Sequence, residues 1–303
     1  MLFTALRMVL RGVDWVSPKA AGEVAHWLFQ WPPPSEPTSP EQRRLLVEAE
    51  RRFAEGARKT VACGDSHVVT YRLPAEGAPR GTAVLVHGWT SRALHLGQYA
   101  ERLRSAGYDV VCIDLPAHGA SPGRLTNARQ AADALQAVIA DLGGVDLLLG
   151  HSFGGGVICL ALRNPAIAAL APRAKIVLMS SPNQFSHVTG GVGAALGLSA
   201  EAQRHFERRA FALVGVTEAE GEGNPTLRKV GLPVLVLHCR NDQEIAFSQA
   251  ERWLEVRDLV TLFALEGVGH RNILFDRQAL DRVVTFARGG DRAARGMQRA
   301  TGM

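Results

Sequence analysis

A serine stands at a strand-to-helix junction in the sequence Gly150-His151-Ser152-Phe153-Gly154. The apolar run Val145–Leu149 precedes it, and a stretch with helical character follows. Small residues two positions on either side of the serine permit a sharp turn that lifts its hydroxyl off the sheet edge. A phosphate loop would need Gly-Lys-Ser/Thr, and a dinucleotide site would need an acidic residue for the ribose; both are missing here. We therefore predict that Ser152 is a nucleophile.

A serine hydroxyl is a weak nucleophile, so a base must be held against it. Of the ten histidines, His270 lies in a glycine-containing loop just after the last strand-like run. Asp242 follows the run Val234–Leu237 and is the favoured acid to orient the base; Glu244 is the less typical alternative. Because all three groups follow the carboxyl ends of predicted parallel strands, we expect them to meet at one edge of the sheet. Their order, serine, acid, histidine, fits that arrangement.

The elements that must position these residues form a regular alternation. Short β-branched apolar runs alternate with helix-like stretches, which favours parallel strands covered on both faces. A further hairpin is predicted around Gly64-Asp65-Ser66. The fold class is therefore α/β, a mostly parallel twisted sheet of about eight strands with helices on both faces. The six runs are Ala83–Val86, Val110–Ile113, Val145–Leu149, Ile176–Met179, Val234–Leu237 and Val260–Leu265.

One interval breaks this alternation. About fifty residues separate Met179 from Val234, too many for a crossover of one helix. We predict a small helical cap insertion at about 183–231, with a helix over Ala200–Ala212 and a loose segment over Gly190–Gly197. A cap of this size cannot roof a long groove.

The two ends of the chain are predicted to lie outside the main domain, residues 59–288. Residues 1–58 form an N-terminal helical extension with a proline-rich linker at Trp31–Pro37, and Ser39 caps a helix that runs to about Gly56. Residues 289–303 are expected to be disordered. Apolar residues recur at helical spacing near the N-terminus, where the helix packs on the main domain or, as the alternative, contacts a membrane surface through residues 1–30. The apolar residues are Leu2, Leu6, Val9, Leu10, Val13 and Val16, and the nearby cations are Arg7, Arg11 and Lys19.

Composition excludes several classes of protein. With 303 residues, 47% of them hydrophobic and a net charge of +5, the chain can bury a core and is not disordered. Its four cysteines are far apart and form no CxxC pair, which argues against a disulfide scaffold and a zinc site. The sequence contains no basic stripe with interleaved aromatic residues, so nothing in it indicates nucleic-acid binding. The sequence shows neither the long apolar run of a transmembrane helix nor the features of a signal peptide. We therefore expect a cytoplasmic protein, with peripheral membrane contact as the alternative.

Two more motifs complete a resemblance. His87-Gly88-Trp89 follows the strand at Ala83–Val86, and the loop Asp114-Leu115-Pro116-Ala117-His118-Gly119-Ala120-Ser121 follows the next one. With the serine turn, Asp242 and His270, the chain resembles the α/β-hydrolase family over about residues 60–288, most closely its bacterial esterase and monoglyceride-lipase-like branch. The resemblance implies Ser152 as nucleophile, His270 as general base, Asp242 as its orienter, and an oxyanion hole from the backbone N–H groups of Trp89 and Phe153. Ala117 departs from the family's usual glycine.

The resemblance implies a serine carboxylesterase that forms an acyl-enzyme on Ser152 and needs neither metal nor cofactor. The small cap favours esters with short to medium acyl chains. A monoacylglycerol lipase, a thioesterase and a non-catalytic receptor for a small ligand remain alternatives. We expect His87, Gly88 and His151 to border the substrate, with His87 chiefly shaping the oxyanion loop. The expected partner is a small-molecule ester; the oligomeric state is left open.

Overall fold

The computed structural model describes residues 2–33 and 39–289, which form one eight-stranded sheet flanked by helices. The strands lie in the order β1-β2-β4-β3-β5-β6-β7-β8. The β1–β2 hairpin and the β2–β4 pair are antiparallel, and every other neighbouring pair is parallel. The predicted fold class is confirmed. The strands are β1 (Ala57–Cys63), β2 (Ser66–Leu73), β3 (Gly81–Val86), β4 (Tyr108–Asp114), β5 (Leu147–His151), β6 (Lys175–Met179), β7 (Val234–Cys239) and β8 (Val260–Leu265).

Twelve α-helices occur in the described part of the chain, with short 3₁₀ turns before α4, α10 and α12 and after α11. Ser39 caps α3 as predicted, its hydroxyl accepting the N–H of Gln42 at 3.1 Å. The helices are α1 (Leu2–Val16), α2 (Pro18–Phe29), α3 (Pro40–Glu55), α4 (Gly97–Ser105), α5 (Ala128–Leu142), α6 (Phe153–Ala161), α7 (Pro165–Ala169), α8 (Phe185–Leu196), α9 (Ala200–Val214), α10 (Asn224–Val230), α11 (Phe247–Arg252) and α12 (Arg277–Arg288).

The sheet separates two hydrophobic cores because successive side chains of a strand point to opposite faces. On β3, Val84 and Val86 join the core formed with α5 and α6, whereas Ala83 and Leu85 join the core formed with α4 and α12. Both faces of the central strands are therefore buried, as expected for parallel strands. This rigid sheet carries the loops that follow its carboxyl ends.

A third core joins the N-terminal helices to the insertion between β6 and β7. Ala21 and Ala25 of α2 are buried against Phe206 of α9, in a cluster that also contains Leu10 of α1. The carboxylate of Asp14, near the end of α1, accepts two hydrogen bonds from Ser199, the N-terminal capping residue of α9. The backbone N–H of Ser199 donates at 2.6 Å and its hydroxyl donates at 2.7 Å. The N-terminal extension thus packs on the cap insertion, and the two together form one roof.

The expectation of a loose segment over Gly190–Gly197 is wrong. Helix α8 covers most of it and ends where Gly197 takes the left-handed conformation, with φ of 75°. Glycines lower helix propensity, but packing against α9 overrides that preference, since a Cβ on Gly193 would collide with the Gln203 side chain. Residues 34–38 of the predicted linker and residues 290–303 of the predicted tail lie outside the described residues. Within the described ranges, no helix is long and apolar enough to span a membrane.

Candidate active site

Ser152 occupies a strained turn between β5 and α6. Its backbone has φ of 50° and ψ of −119°, a conformation that L-residues rarely adopt. The flanking glycines are required by space, because a Cβ on Gly150 would lie 2.6 Å from the next helical turn and one on Gly154 would overlap the carbonyl oxygen of Val86. The structure therefore has the sharp turn that the sequence predicts.

The structure brings the predicted serine, histidine and aspartate together. His270 Nε2 lies 3.0 Å from Ser152 Oγ, and His270 Nδ1 lies 2.8 Å from Asp242 Oδ2. The other Asp242 oxygen accepts the backbone N–H groups of Glu244 and Ile245, each at 2.9 Å. Burial alone would raise the pKa of Asp242, but the hydrogen bond and charge of His270 and these two N–H groups lower it below its usual value. An ionised Asp242 fixes the tautomer that leaves Nε2 free to accept the serine proton.

Glu244, the alternative acid, lies on the other side of the imidazole. One of its oxygens is 3.9 Å from His270 Nε2, beyond hydrogen-bond distance. The other accepts a hydrogen bond from the Arg271 guanidinium at 2.8 Å, and the side chain is half exposed. The geometry therefore favours Asp242 as the residue that orients His270.

The loop after β3 approaches the serine closely. A Cβ on Gly88 would lie 3.2 Å from Ser152 Cβ and 2.9 Å from His151 Nδ1, so the backbone can come this near only at a glycine. The approach brings Trp89 beside Phe153, with ring centroids 5.1 Å apart. Phe153 begins α6, so its N–H has no partner within that helix. These are the two residues whose backbone N–H groups the resemblance assigns to an oxyanion hole.

His87 braces this loop and lines neither of the two cavities that meet at Ser152. Its imidazole is fully buried; Nδ1 donates to the carbonyl of Gly88 at 2.8 Å and Nε2 accepts the N–H of Leu115 at 3.0 Å. Burial holds its pKa well below the usual value, so the ring is neutral. This corrects the expectation that placed His87 among the substrate-binding residues. His151 does border a cavity, and its Nε2 donates to the carbonyl of His270 at 3.0 Å.

The loop after β4 stabilises the oxyanion loop. The Asp114 carboxylate accepts the N–H groups of Ala93 and Ala120 at 2.7 and 2.8 Å, tying its own loop to the oxyanion loop. Ala117, which stands where the family usually has glycine, has φ of 62°. An alanine in this region is strained, but the carbonyl of Pro122 accepts its N–H at 3.0 Å and holds the turn.

Sequence reasoning missed the role of Cys239. Its thiol, at the end of β7, accepts the backbone N–H groups of Val268 and Gly269 at 3.2 and 3.1 Å and donates to Asn241 at 2.6 Å. Cys239 thereby connects the loop that carries Asp242 to the loop that carries His270. The signal in the sequence was only its position three residues before the acid, which is equally typical of a core residue.

Two cavities of different chemistry meet at Ser152. The larger, about 420 Å³, is mostly apolar; Phe153 and Gly156 of α6 line it near the serine, and Leu28, Phe29 and Phe185 line it from α2 and α8. The smaller, about 140 Å³, lies beside His270 and has a more polar lining. Its polar residues include Gln42, Ser91, His95, His151, Glu244 and Arg271. No group of three or more metal-ligating side chains occurs among the residues that the structure describes.

Comparison with known families agrees with the fold. A model described as the alpha/beta hydrolase family matches residues 83–286. The chain belongs to this family. The chain is 31% identical over 88 residues to a monoacylglycerol lipase of Mycolicibacterium smegmatis, a match that covers 26% of this chain and only 31% of that lipase.

Solved structures share the fold of this chain. A bacterial membrane phospholipase A described as a virulence factor superposes with a TM-score of 0.59 at 19% identity, over 82% of this chain and 92% of the other. An esterase from Rhodococcus sp. ECU1013 superposes with a TM-score of 0.57 at 21% identity, over 76% and 98% of the two chains. At these identities the likeness establishes the fold alone.

Proposed function

We propose that the hydrolase cleaves carboxylic esters through an acyl-enzyme on Ser152. The observation that carries the proposal is the continuous hydrogen-bonded chain from Ser152 through His270 to Asp242, at the junction of two cavities. His270 takes the serine proton as Oγ attacks the ester carbonyl, and Asp242 stabilises the resulting imidazolium. The N–H groups of Trp89 and Phe153 then stabilise the oxyanion. His270 returns the proton to the leaving alcohol, and water repeats both steps on the acyl-enzyme.

The two cavities differ in size and lining, which supports binding the acyl chain in the larger one and the alcohol in the smaller one. An apolar cavity of about 420 Å³ lies within the size range of small-molecule sites, about 300–1,000 Å³, and suits an aliphatic acyl chain. Its walls include the N-terminal helices as well as the cap, so the roof is larger than the insertion alone provides. We therefore propose medium-length acyl chains, the upper part of the range expected from the sequence.

The smaller cavity favours a second, narrower candidate function, that of a monoacylglycerol lipase. A cavity of about 140 Å³ with a partly polar lining suits a small polyol better than a bulky or apolar alcohol. His95 Nδ1 and Ser91 Oγ lie there, 2.7 Å apart, and both side chains can hydrogen-bond to the hydroxyl groups of a polyol. The local likeness to a monoacylglycerol lipase supports the same choice.

The deciding experiment compares p-nitrophenyl esters of increasing acyl length with the wild type, Ser152→Ala and the exposed-serine control Ser66→Ala. We expect Ser152→Ala to lose about 10⁶-fold in kcat, or to fall to background, and the control to match the wild type. A fluorophosphonate should label the wild type and the control on Ser152 and leave Ser152→Ala unlabelled. Substantial activity in Ser152→Ala would refute the nucleophile. Inert proteins that nevertheless bind a fluorescent fatty ester would favour a receptor.

Monoacylglycerol specificity needs a separate comparison. Hydrolysis of a medium-chain monoacylglycerol should exceed that of the matching diacylglycerol, whose second chain has no room in the smaller cavity. Equal rates on the two lipids would reject the lipase candidate and leave the general esterase proposal intact.

A further inference from the structure

Exposed apolar side chains are concentrated on the N-terminal helix pair. Of the ten large hydrophobic residues that are exposed in the described ranges, seven lie between positions 8 and 31. On α1 the exposed fractions are 89% for Trp15, 76% for Val16, and 65% for both Met8 and Val9. Scattered exposed hydrophobic residues are ordinary, but a concentration of this kind marks an interaction surface.

These residues form one continuous stripe. At 3.6 residues per turn, six exposed positions of α1 fall within an arc of about 120°. The opposite side of the helix packs on the rest of the protein, because Leu10 is buried and Asp14 accepts a hydrogen bond from Ser199 at the start of α9. The stripe, which we call the α1 face, consists of Ala5, Met8, Val9, Gly12, Trp15 and Val16.

The charges beside the α1 face are positive. Arg11 is exposed next to the edge of the α1 face that Trp15 forms, and Lys19 is exposed at the beginning of α2. The acid of α1, Asp14, is buried, and Glu23 of α2 is already paired with His205 and Arg209. An apolar stripe with a cationic edge and a tryptophan complements an anionic lipid surface, where such a helix lies parallel to the bilayer.

The same two helices also line the larger cavity. Leu6 of α1 faces it from the side of the helix away from the stripe, and Leu28 and Phe29 of α2 lie beside it, followed by Trp31. Trp31 and Trp27 are themselves half exposed. One helix pair therefore separates the cavity from the outer surface that carries the α1 face.

We propose that the α1 face docks the hydrolase on an anionic phospholipid bilayer. Helix α1 has 15 residues, fewer than the roughly 20 needed to span, so it lies in the interface. A bilayer contact at the outer side of the cavity wall places the larger cavity next to the lipid from which an apolar ester would come. The docking itself does not depend on the proposed ester hydrolysis.

Vesicle co-flotation of the full-length chain tests the proposal, using phosphatidylcholine vesicles with and without 30% phosphatidylglycerol. We expect the wild type and Ser152→Ala to bind the anionic vesicles equally, so failure of the catalytic proposal would leave this result unchanged. The double variant Trp15→Ser/Val16→Ser should bind at least about tenfold more weakly. Val47→Ser, which removes a valine of similar exposure from α3, is the matched control and should bind like the wild type.

Charge variants test the second half of the argument. Each lost cation costs about fivefold in binding to an anionic surface, so Arg11→Gln/Lys19→Gln should lose about 25-fold on anionic vesicles. The loss should disappear on neutral vesicles, and cleavage of a water-soluble acetate ester should stay unchanged. Failure of the wild type to float with anionic vesicles would overturn the proposal. So would a wild-type dimer that Trp15→Ser/Val16→Ser converts to monomer, since the α1 face would then bind a second copy of the chain.

Discussion

Gly156 offers a direct way to change which acyl chains the larger cavity accepts. It lies on α6, one helical turn after Ser152, and lines that cavity. A Cβ built at this position has no heavy atom within 4 Å, so a side chain would enter open space. We therefore expect Gly156→Leu to fold normally and to fill part of the proposed acyl site. Replacing a glycine inside a helix should even add about 0.5–1 kcal/mol of stability.

The size of the effect follows from the methylene groups displaced. A leucine side chain adds four carbon atoms where glycine has none, so it takes the space of about four methylene groups, and each buried methylene is worth about 0.8 kcal/mol. A long-chain ester should thus lose about 3.2 kcal/mol of transition-state binding, or about 200-fold in kcat/KM. Gly156→Ala displaces about one methylene and should cost about fourfold. A butyrate ester, which does not reach past the leucine, should be almost unaffected.

The assay is kcat/KM for p-nitrophenyl butyrate and p-nitrophenyl decanoate, with thermal unfolding measured on each variant. Gly191→Leu on α8 is the matched control, because that glycine is exposed, has equally open space and lies outside the cavity lining. The decanoate-to-butyrate ratio should fall in the order wild type, Gly156→Ala, Gly156→Leu. An unchanged ratio in folded Gly156→Leu would refute the assignment of the cavity to the acyl chain. An equal loss on both esters would instead indicate damage to the serine turn.

Three further predictions concern the residues around His270. Asp242→Asn should lower kcat by about 10⁴, because the amide holds the wrong tautomer, while Glu244→Gln should change it by less than about fivefold; the reverse order in initial rates would move the acid role to Glu244. Cys239→Ala leaves two backbone N–H groups of the histidine loop unpaired, at about 1–3 kcal/mol, so kcat and thermal stability should both fall. Cys239→Ser should recover kcat, and no recovery would contradict the positioning role. Burial lowers the pKa of His95 to about 4 and of His151 to about 3, below the value of about 6.5 in the unfolded chain. The unfolded state then binds more protons, so the free energy of unfolding measured in urea should fall from pH 6.5 to pH 5; a flat or rising curve would contradict the buried neutral rings.

The parts of the site that local patterns specify could be predicted from the sequence. A sharp turn needs its glycines in sequence order, and parallel strands deliver their following residues to one edge, so Ser152, Asp242 and His270 were expected to converge. Strand ends were less accurate. The run predicted at Val145–Leu149 is the strand Leu147–His151, because pairing with β6 continues to His151 and begins only at Leu147.

Other parts of the structure depend on contacts between distant positions, which periodicity cannot reveal. Asp14 and Ser199 are 185 residues apart, yet their hydrogen bonds attach the extension to the cap. The glycines of α8 favoured a loop, but packing on α2 and α9 stabilises a helix there. The bracing role of His87 likewise needs the N–H of Leu115, 28 positions away.

The shared core of α1, α2 and α9 determines how the N-terminal helices can be studied. Deleting them would remove Ala21 and Ala25 from Phe206, expose the inner surface of the cap and open the larger cavity to water. Loss of vesicle binding and loss of long-chain hydrolysis would then occur together, whatever their separate causes. Substitutions on the α1 face leave that core in place, because Trp15 and Val16 are exposed while Leu10 carries the packing. If such variants lose vesicle binding yet keep the acyl-chain preference in solution, the helix pair has two separable roles, as membrane contact and as cavity wall.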